Sequence, residues 1–222
     1  MALAQGLSDD QRHHLHRVLR LKDGDAVIVT DGAGSLRHCR LVDSGLEPEG
    51  DVDTVGRPSP QVGVVQAVPA ARKLDEITRM VAEVGAAWLQ PVITSASSPF
   101  ARDAAGAERR QRRLEAIAVS AMEQSRSRWL LEVRQPMALA DATTSMGDAV
   151  VVVLDPVADR SLREVADDAS TYAVVVGPES GWSMDERSLL GSARVRLGSE
   201  ILRTEHAAMA AVSAILARGG RW

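Results

Sequence analysis

The segment from Tyr172 to Ala217 constrains the fold of this chain most strongly, because it contains two strand-turn-helix units in succession. Residues Val174 to Val176 form an uninterrupted β-branched run, which is typical of a strand buried on both faces. The Gly177-Pro178 pair ends that strand. Such turns are common in α/β proteins, but they follow the carboxyl ends of strands, where open sheets bind ligands. The segment therefore predicts a parallel sheet with a ligand site at one edge.

In both units, polar residues indicate where the helix begins. Ser183 and Glu186 have the spacing of a capping box, which predicts a helix directly after the first turn. In the second unit, Val195 to Leu197 is predicted as a short strand. Thr204 is then predicted to cap a helix that runs from Glu205 to Arg218.

The preceding part of the chain alternates between strand and helix patterns, which predicts a largely parallel sheet covered by helices on both faces. This α/β domain is predicted to span residues 61–222. Its further strands are Val62–Val68, Trp88–Ile93 and Ala149–Leu154, and its further helices are Lys73–Val84, Glu108–Gln124 and Asp159–Asp168.

The first 58 residues have a different pattern, which predicts a small β domain. A helix is expected from Asp9 to Leu19, because Leu15, Val18 and Leu19 share one face. The strands Ala26–Thr30 and Leu36–Val42 flank a glycine-containing turn and predict a hairpin. The stretch Asp43–Pro60 is rich in Gly, Pro, Asp and Glu, so it is expected to be a linker with one short strand at Val52–Val55.

The composition limits the classes of protein to which this chain can belong. The 222 residues carry a net charge of −4, which argues against a non-specific nucleic-acid binder but permits a local basic patch. Cys39 is the single cysteine, and the first residues have no basic region followed by an apolar one, so a reducing cytoplasm is expected. No apolar run has the length of a membrane span.

Common catalytic and nucleotide-binding motifs are absent from the sequence. There is no G-x-G-x-x-G, no G-x-x-x-x-G-K-(S/T), no G-x-S-x-G and no H-E-x-x-H. His13, His14 and His16 lie close together, but no carboxylate or cysteine stands at a spacing that would complete a metal site, so none is predicted. A nucleotide-like ligand would have to be held by main-chain groups of the carboxyl-edge loops.

The stretch from Arg109 to Arg128 is the strongest basic patch. It holds six arginines and only two glutamates, Glu115 and Glu123. Two interpretations remain open for it, a solvated helix face and a contact surface for RNA.

Two terminal motifs resemble a known family. GPESGWSMDE, followed by LGSEILRTEHA, is similar to the paired signature of the RsmE family of SPOUT methyltransferases, and HHLHRVLRLKDGD, the AEVG helix end and AMEQS extend the resemblance. The resemblance implies a knotted parallel sheet, an N-terminal PUA-like β-barrel that docks on RNA, and a homodimer. It also implies S-adenosylmethionine as the methyl donor and N3 of a uridine in 16S ribosomal RNA as the acceptor.

The resemblance also implies roles for individual residues. Glu123, Arg128 and Arg203 are expected in catalysis. Arg12, Arg17, Arg20, Gln124 and Arg126 are expected to contact the RNA, because the chain has few aromatic side chains for base stacking. The expected cofactor residues are Leu154, Gly177, Pro178, Glu179, Gly181, Leu197, Gly198, Ile201, Leu202 and Arg203.

The chain departs from the family pattern at Ser97, Leu131, Ser180 and His206. These departures keep two further functions open: a SPOUT methyltransferase that acts on another RNA or a small molecule, and a non-catalytic RNA-binding or assembly protein. The alanine-rich helix Glu205–Arg218 is expected either at a two-fold interface or packed closely on its own sheet.

Overall fold

The computed structural model describes residues 7–42, 45–69, 73–97 and 104–222. Residues 1–6 of the predicted N-terminal domain and residues 43–44 of the predicted linker lie outside this part of the chain. Contacts between Cα atoms divide the protein into two compact units, Met1–Arg57 and Pro58–Trp222.

The N-terminal unit begins with helical turns. α1 spans Asp9–His13 and continues as a π-helix over His14–Val18, so the helix predicted for Asp9–Leu19 is confirmed, with a π-helical second half. The wider π-turn is visible in the bond from the Leu19 amide to the carbonyl of His14, five residues back. The turn closes at Arg20, which adopts a left-handed backbone with φ of 57°.

A three-stranded antiparallel sheet follows, in the order β1-β2-β3. The prediction of a linker was wrong here, because β3 is ten residues long. Among the described strands it pairs only with β2, so it is an edge strand, and an edge strand tolerates Pro48 and the glycines that favoured a linker. Cys39 and Leu41 form the buried interior of this unit. The strands are β1 Ala26–Thr30, β2 Ser35–Val42 and β3 Gly45–Thr54.

The second unit alternates between strands and helices, as the sequence predicts. α4 and the two short strands before it were not predicted. In chain order the elements are β4 Gln61–Ala67, α2 Lys73–Glu83, β5 Trp88–Ile93, α3 Ala104–Ser125, β6 Glu132–Val133, β7 Met137–Ala138, α4 Leu139–Ser145, β8 Val150–Leu154, β9 Thr171–Val176, α5 Met184–Leu190, β10 Arg194–Val195 and α6 Thr204–Arg218.

These strands form one sheet in the order β10-β8-β9-β4-β5-β6, with β7 also paired to β5. Every described pairing in it is parallel. Successive side chains of a strand point to opposite faces, so each central strand serves two cores. Val174 packs with α2, α3 and α6 on one face, and Val175 packs with α4 and α5 on the other. The predicted two-sided burial of this strand is confirmed.

The helix predicted for Asp159–Asp168 does not form. Only Leu162–Glu164 is helical, as a 3₁₀ turn that Ser161 and Glu164 cap reciprocally. Leu162 and Val165 are buried, which produced the misleading helical spacing. Their carbonyls instead accept hydrogen bonds from the guanidinium of Arg218 at 3.0 and 2.7 Å. Within the described residues, no helix is long and apolar enough to cross a membrane.

Candidate functional site

A cavity of about 680 Å³ lies at the carboxyl edge of the sheet. Three loops line it, each following a neighbouring strand: residues 154–157 after β8, 176–182 after β9 and 197–203 after β10. The volume lies within the ~300–1,000 Å³ range of small-molecule sites. The structure brings all ten predicted cofactor residues to this cavity: Leu154, Gly177, Pro178, Glu179, Gly181, Leu197, Gly198, Ile201, Leu202 and Arg203.

Two glycines of these loops, Gly177 and Gly198, have different space around them. A Cβ atom on Gly177 would lie 2.9 Å from the Trp182 indole, so the turn after β9 needs a residue without a side chain to pack on that ring. Trp182 is buried, and its Nε1 donates to the carbonyl of Leu154 at 3.3 Å, which joins two of the loops. A Cβ on Gly198 would meet nothing within 4 Å. A side chain there would extend into open space of the cavity.

A buried carboxylate organises the wall formed by the loop after β8. Asp155 is 2% exposed, and its Oδ2 accepts from Nη1 of Arg187 at 2.6 Å and lies 3.4 Å from Nη1 of Arg194. Its Oδ1 accepts from the amide of Val157 at 3.2 Å. Arg187 also donates through Nε to the carbonyl of Trp182. This network fixes the loops after β8 and β9 relative to each other.

Lys73, the first residue of α2, supplies a positive charge to the cavity wall. Its ammonium lies 2.9 Å from Glu179 and 3.5 Å from the buried carboxylate of Glu205. The bond to Glu179 raises the pKa of Lys73. The pKa of Glu205 is lowered, first by its own backbone amide and then by Lys73, and these effects outweigh its burial. The lowered pKa keeps Glu205 charged near neutral pH, and Lys73 is the cationic partner that Glu179 and Glu205 share.

The prediction that Thr204 caps α6 is wrong. Arg203 is the residue before the helix, Thr204 is its first residue, and no side chain caps the helix. The hydroxyl of Thr204 donates instead to the carbonyl of Gly177 at 2.8 Å. The start of α6 is thereby bonded to the turn after β9.

The predicted capping box at Ser183 and Glu186 is confirmed. Glu186 also accepts from the backbone amide of Ser95 at 2.8 Å, so its carboxylate joins α5 to the loop after β5. Burial raises the pKa of Glu186, but the hydrogen bonds from Ser95 and Ser183 outweigh it, and the pKa is lowered overall. Ser97, one of the departures from the family pattern, is buried in this loop, where its hydroxyl accepts from the amide of Thr94.

The other departures are accommodated without strain. Leu131 is buried in the core on the α3 side of the sheet, and His206 is exposed in the first turn of α6. Ser180 lines the cavity. Among the described residues, only Arg20 and Arg126 are non-glycine residues with positive φ, so Ser180 needs no glycine-like backbone.

The remaining predicted site residues lie elsewhere. Glu123 and Gln124 are exposed at the end of α3, and Arg126 and Arg128 follow it directly. In the described part of the chain, none of these four lines the cavity. Arg12, Arg17 and Arg20 belong to the helical turns of the N-terminal unit, where Arg17 and Arg20 are exposed. Across the described residues, no group of three or more His, Cys, Asp or Glu side chains could hold a metal ion.

Sequence reasoning did not assign Lys73, Asp155, Trp182 or Arg187 to the site. Asp155 carries a signal that could have identified it, because it is an acidic residue directly after the apolar strand β8. Trp182 also follows a predicted ligand turn. Lys73 and Arg187 carry no such signal, since they reach the cavity only through the packing of α2 and α5.

A parallel α/β sheet with a small-molecule cavity at its carboxyl edge, preceded by a small antiparallel β unit, defines a ligand-binding α/β protein with an accessory domain. Family comparisons agree with both parts. Residues 57–216 match the model of an RNA methyltransferase domain, and residues 7–47 match that of an RNA methyltransferase PUA domain.

Similar proteins extend over nearly the whole chain. A ribosomal RNA small subunit methyltransferase E of Mycobacterium tuberculosis is 30% identical, and the match covers 96% of this chain and 86% of that protein. The Synechocystis protein of the same name is 29% identical over 95% of this chain and 73% of its own. A crystal structure of this enzyme from Neisseria gonorrhoeae, bound to S-adenosyl methionine, superposes with a TM-score of 0.84 at 25% identity, covering 98% of this chain and 93% of that one.

The chain therefore belongs to the RsmE family of RNA methyltransferases, and the resemblance seen in its terminal motifs is confirmed. The predicted fold class, a SPOUT-like parallel sheet with an N-terminal PUA-like unit, is confirmed as well.

Proposed function

We propose that this protein transfers a methyl group from S-adenosylmethionine to N3 of a uridine in 16S ribosomal RNA. The observation that carries the proposal is the cavity at the carboxyl edge, which is lined by all ten residues of the expected cofactor set. The Neisseria gonorrhoeae relative, which holds S-adenosyl methionine, supports the same cofactor. The expectation of a cytoplasmic location fits an enzyme that acts on ribosomal RNA.

The cavity suits a ligand that carries both positive and negative charge. Its lining has three cationic side chains, Lys73, Arg187 and Arg203, and three anionic ones, Asp155, Glu179 and Glu200. S-adenosylmethionine has a sulfonium, an ammonium and a carboxylate, so a wall of balanced charge can accept it without a large net electrostatic penalty. Bound there, the cofactor supplies an electrophilic methyl group.

The reaction needs an unpaired uridine, because N3 lies on the Watson-Crick edge. The N3 proton passes to solvent water, the N3 lone pair forms a bond to the methyl carbon, and the carbon-sulfur bond breaks to release S-adenosylhomocysteine. Most of the rate enhancement is assigned to holding the two reactants in line. Arg203, an exposed residue that lines the cavity, is proposed to stabilise the uridine anion, and Glu123 and Arg128 are proposed to act from the substrate side.

A homodimer would explain why Glu123 and Arg128 lie outside the cavity, since a two-fold interface can bring them to the partner's cofactor. Exposed apolar side chains around the cavity support this association: Val157 is 70% exposed, Ile201 81% and Met184 84%. The alanines of α6 support it less, because Ala208 and Ala211 are already buried in the protein's own core. Sedimentation that detects only monomer at micromolar concentration would refute the dimer.

Calorimetry with S-adenosylmethionine tests the cofactor assignment. Gly198→Val should abolish binding while the fold persists, because a β-branched side chain would fill cavity space that is otherwise open. Gly56→Val is the matched control, since Gly56 also has open space around its Cβ position and does not line the cavity. Failure of the wild-type protein to bind would favour a non-catalytic RNA-binding or assembly role.

Substrate identity is tested by mass spectrometry of nucleosides from small-subunit RNA of cells with and without the gene. Loss of N3-methyluridine is expected. Arg128→Glu should reduce methyl transfer to RNA and weaken its salt dependence, while S-adenosylmethionine binding stays unchanged. Arg79→Glu, at an exposed arginine of α2, is the charge-matched control. Efficient methylation of free uridine or of a small metabolite would overturn the RNA assignment.

Arginines from both units are proposed to hold the RNA: Arg12, Arg17 and Arg20 from the first, Arg126 and Arg128 from the second, together with Gln124. Two weak patches gain useful affinity when one rigid target spans both of them. A structured ribosomal particle, rather than a free nucleoside, is therefore the expected substrate.

A further inference from the structure

Gln66 is a fully buried polar side chain at the carboxyl end of β4, with 0% exposure. Its amide nitrogen donates to the carbonyl of Ala67 at 3.1 Å and to the hydroxyl of Thr204 at 3.1 Å. If the amide were rotated by 180°, its oxygen would face the carbonyl oxygen of Ala67, and two acceptors would meet. The amide nitrogen therefore lies toward Ala67 and Thr204.

The hydrogen bond from Gln66 to Thr204 also orients a bond to the cavity wall. Because its hydroxyl accepts a hydrogen bond from Gln66, its own proton is directed to the carbonyl of Gly177, 2.8 Å away. Gly177 and Thr204 both line the cavity, whereas Gln66 lies behind them. The carbonyl that begins the turn after β9 is thus held by a chain of two hydrogen bonds anchored in β4.

We propose that Gln66 is a positioning residue for the cofactor cavity, acting through Thr204 to hold the Gly177 carbonyl and with it the turn to Gly181. This inference rests on the proposed function for the identity of the ligand, S-adenosylmethionine. Within the described residues, Oε1 of Gln66 is buried and has no hydrogen-bond partner. An unsatisfied buried acceptor is unfavourable, and an apolar side chain of the same size would avoid it. What distinguishes Gln66 is that its amide donates to Thr204, a residue of the cavity lining.

The neighbouring strand contains a matched control. Gln90, in β5, is 1% exposed, and its amide nitrogen donates to the carbonyls of Pro91 at 3.0 Å and Gln135 at 2.6 Å. In the described structure its Oε1 is also buried without a partner. Gln90 has the same burial and the same kind of bonds, but neither it nor its two acceptors line the cavity.

The test compares Gln66→Met with Gln90→Met in two measurements. The first is hydrogen exchange of the Gly181 amide in the ligand-free protein, since this amide donates to the carbonyl of Pro178 within the turn. The second is the dissociation constant for S-adenosylmethionine together with KM and kcat. Both variants should change thermal stability by similar amounts, because both replace a buried glutamine whose Oε1 has no partner among the described residues.

Only Gln66→Met should accelerate exchange at Gly181 and weaken cofactor binding, each by up to about tenfold, which corresponds to the loss of one buried hydrogen bond. KM for the cofactor should rise, while kcat at saturating cofactor changes little. Thr204→Val should reproduce the effect, and Thr204→Ser, which keeps the hydroxyl, should restore most of the loss.

Equal effects of Gln66→Met and Gln90→Met on exchange and affinity would overturn the positioning role. If Gln66→Met does not fold, the comparison of Thr204→Val with Thr204→Ser decides the question, and equal exchange in those two variants refutes the proposal. If the wild-type protein does not bind S-adenosylmethionine, the proposed function fails, but exchange at Gly181 still decides the role of Gln66.

Discussion

Replacement of Asp155 by alanine should destabilise the second unit strongly. The carboxylate is almost completely buried, with 1% exposure, and it compensates Arg187 at 2.6 Å and Arg194 at 3.4 Å. It also accepts the backbone amide of Val157 at 3.2 Å. Asp155→Ala removes one acceptor group and leaves two guanidinium groups without their partner.

The expected loss of unfolding free energy depends on how exposed Arg187 and Arg194 are. Breaking a fully buried ion pair costs about 3–5 kcal/mol, because the remaining charge stays desolvated. Arg187 and Arg194 are 32% and 37% exposed, so water can solvate them and the cost falls to about 2 kcal/mol. The lost bond from the Val157 amide adds about 1 kcal/mol. The expected loss is about 3 kcal/mol, or roughly 6–12 °C in Tm for a unit of this size.

Urea denaturation of the wild type, Asp155→Ala, Asp155→Asn and Asp148→Ala measures these differences. Asp155→Asn keeps the acceptor oxygen but loses the charge, so it should lie between the wild type and the alanine variant. Asp148 is exposed, so Asp148→Ala should change the free energy of unfolding by no more than about 0.5 kcal/mol. A loss in Asp155→Ala as small as that of Asp148→Ala would refute the role of the buried ion pairs.

Three other changes test separate parts of the structure. Because the pKa of Glu186 is lower in the folded protein than the unfolded value of 4.5, its ionised carboxylate stabilises the fold above pH 4.5. This stabilisation is lost as the pH falls through the folded pKa. The Tm values of the wild type and Glu186→Gln should therefore differ at pH 7 and converge below pH 4.5. Constant separation in acid would contradict this. Gly63→Ala should cost about 3 kcal/mol or more, because its Cβ would overlap three ring atoms of Trp88, and denaturation should show partial rescue by Trp88→Leu. Lys73→Met removes the cation beside the buried Glu205, so NMR titration should find a higher pKa for that carboxyl, and an unchanged titration would exclude the pair.

The elements that could be predicted are those whose burial pattern is set by the sheet itself. β9 and α2 are examples. A run of valines is stable as a strand buried between two layers of helices, and a stripe of apolar residues at helical spacing is stable as a helix packed on the sheet. The position of the ligand site could be predicted from the glycine turn after β9, since the carboxyl ends of parallel strands lie at a common edge of the sheet. This is why the expected cofactor residues meet in one cavity.

The errors occur where a distant contact replaces a local one. Residues 159–168 have helical spacing, but the helical bonds stop at one 3₁₀ turn, and the guanidinium of Arg218 donates to the carbonyls of Leu162 and Val165. Similarly, the capping box predicts where α5 begins, but it does not indicate that Arg187 pairs with Asp155, which lies 32 residues away in the sequence. Periodicity reports which residues are buried, and charge pairing across elements requires the fold.

The start of α6 shows why a local rule failed at a functional position. A threonine at a helix boundary predicts a cap, which is worth about 1 kcal/mol. A cap needs the hydroxyl oxygen to accept a backbone amide of the helix. In this structure Thr204 is the first residue of the helix, its hydroxyl oxygen accepts from Gln66, and its proton is donated to the carbonyl of Gly177. The first turn of α6 is left with Glu205, whose own backbone amide lowers its pKa and whose negative charge is favourable at a helix N-terminus. Glu205 thus stabilises the helix start that Thr204 does not cap, which leaves the threonine hydroxyl available to connect β4 with the cavity.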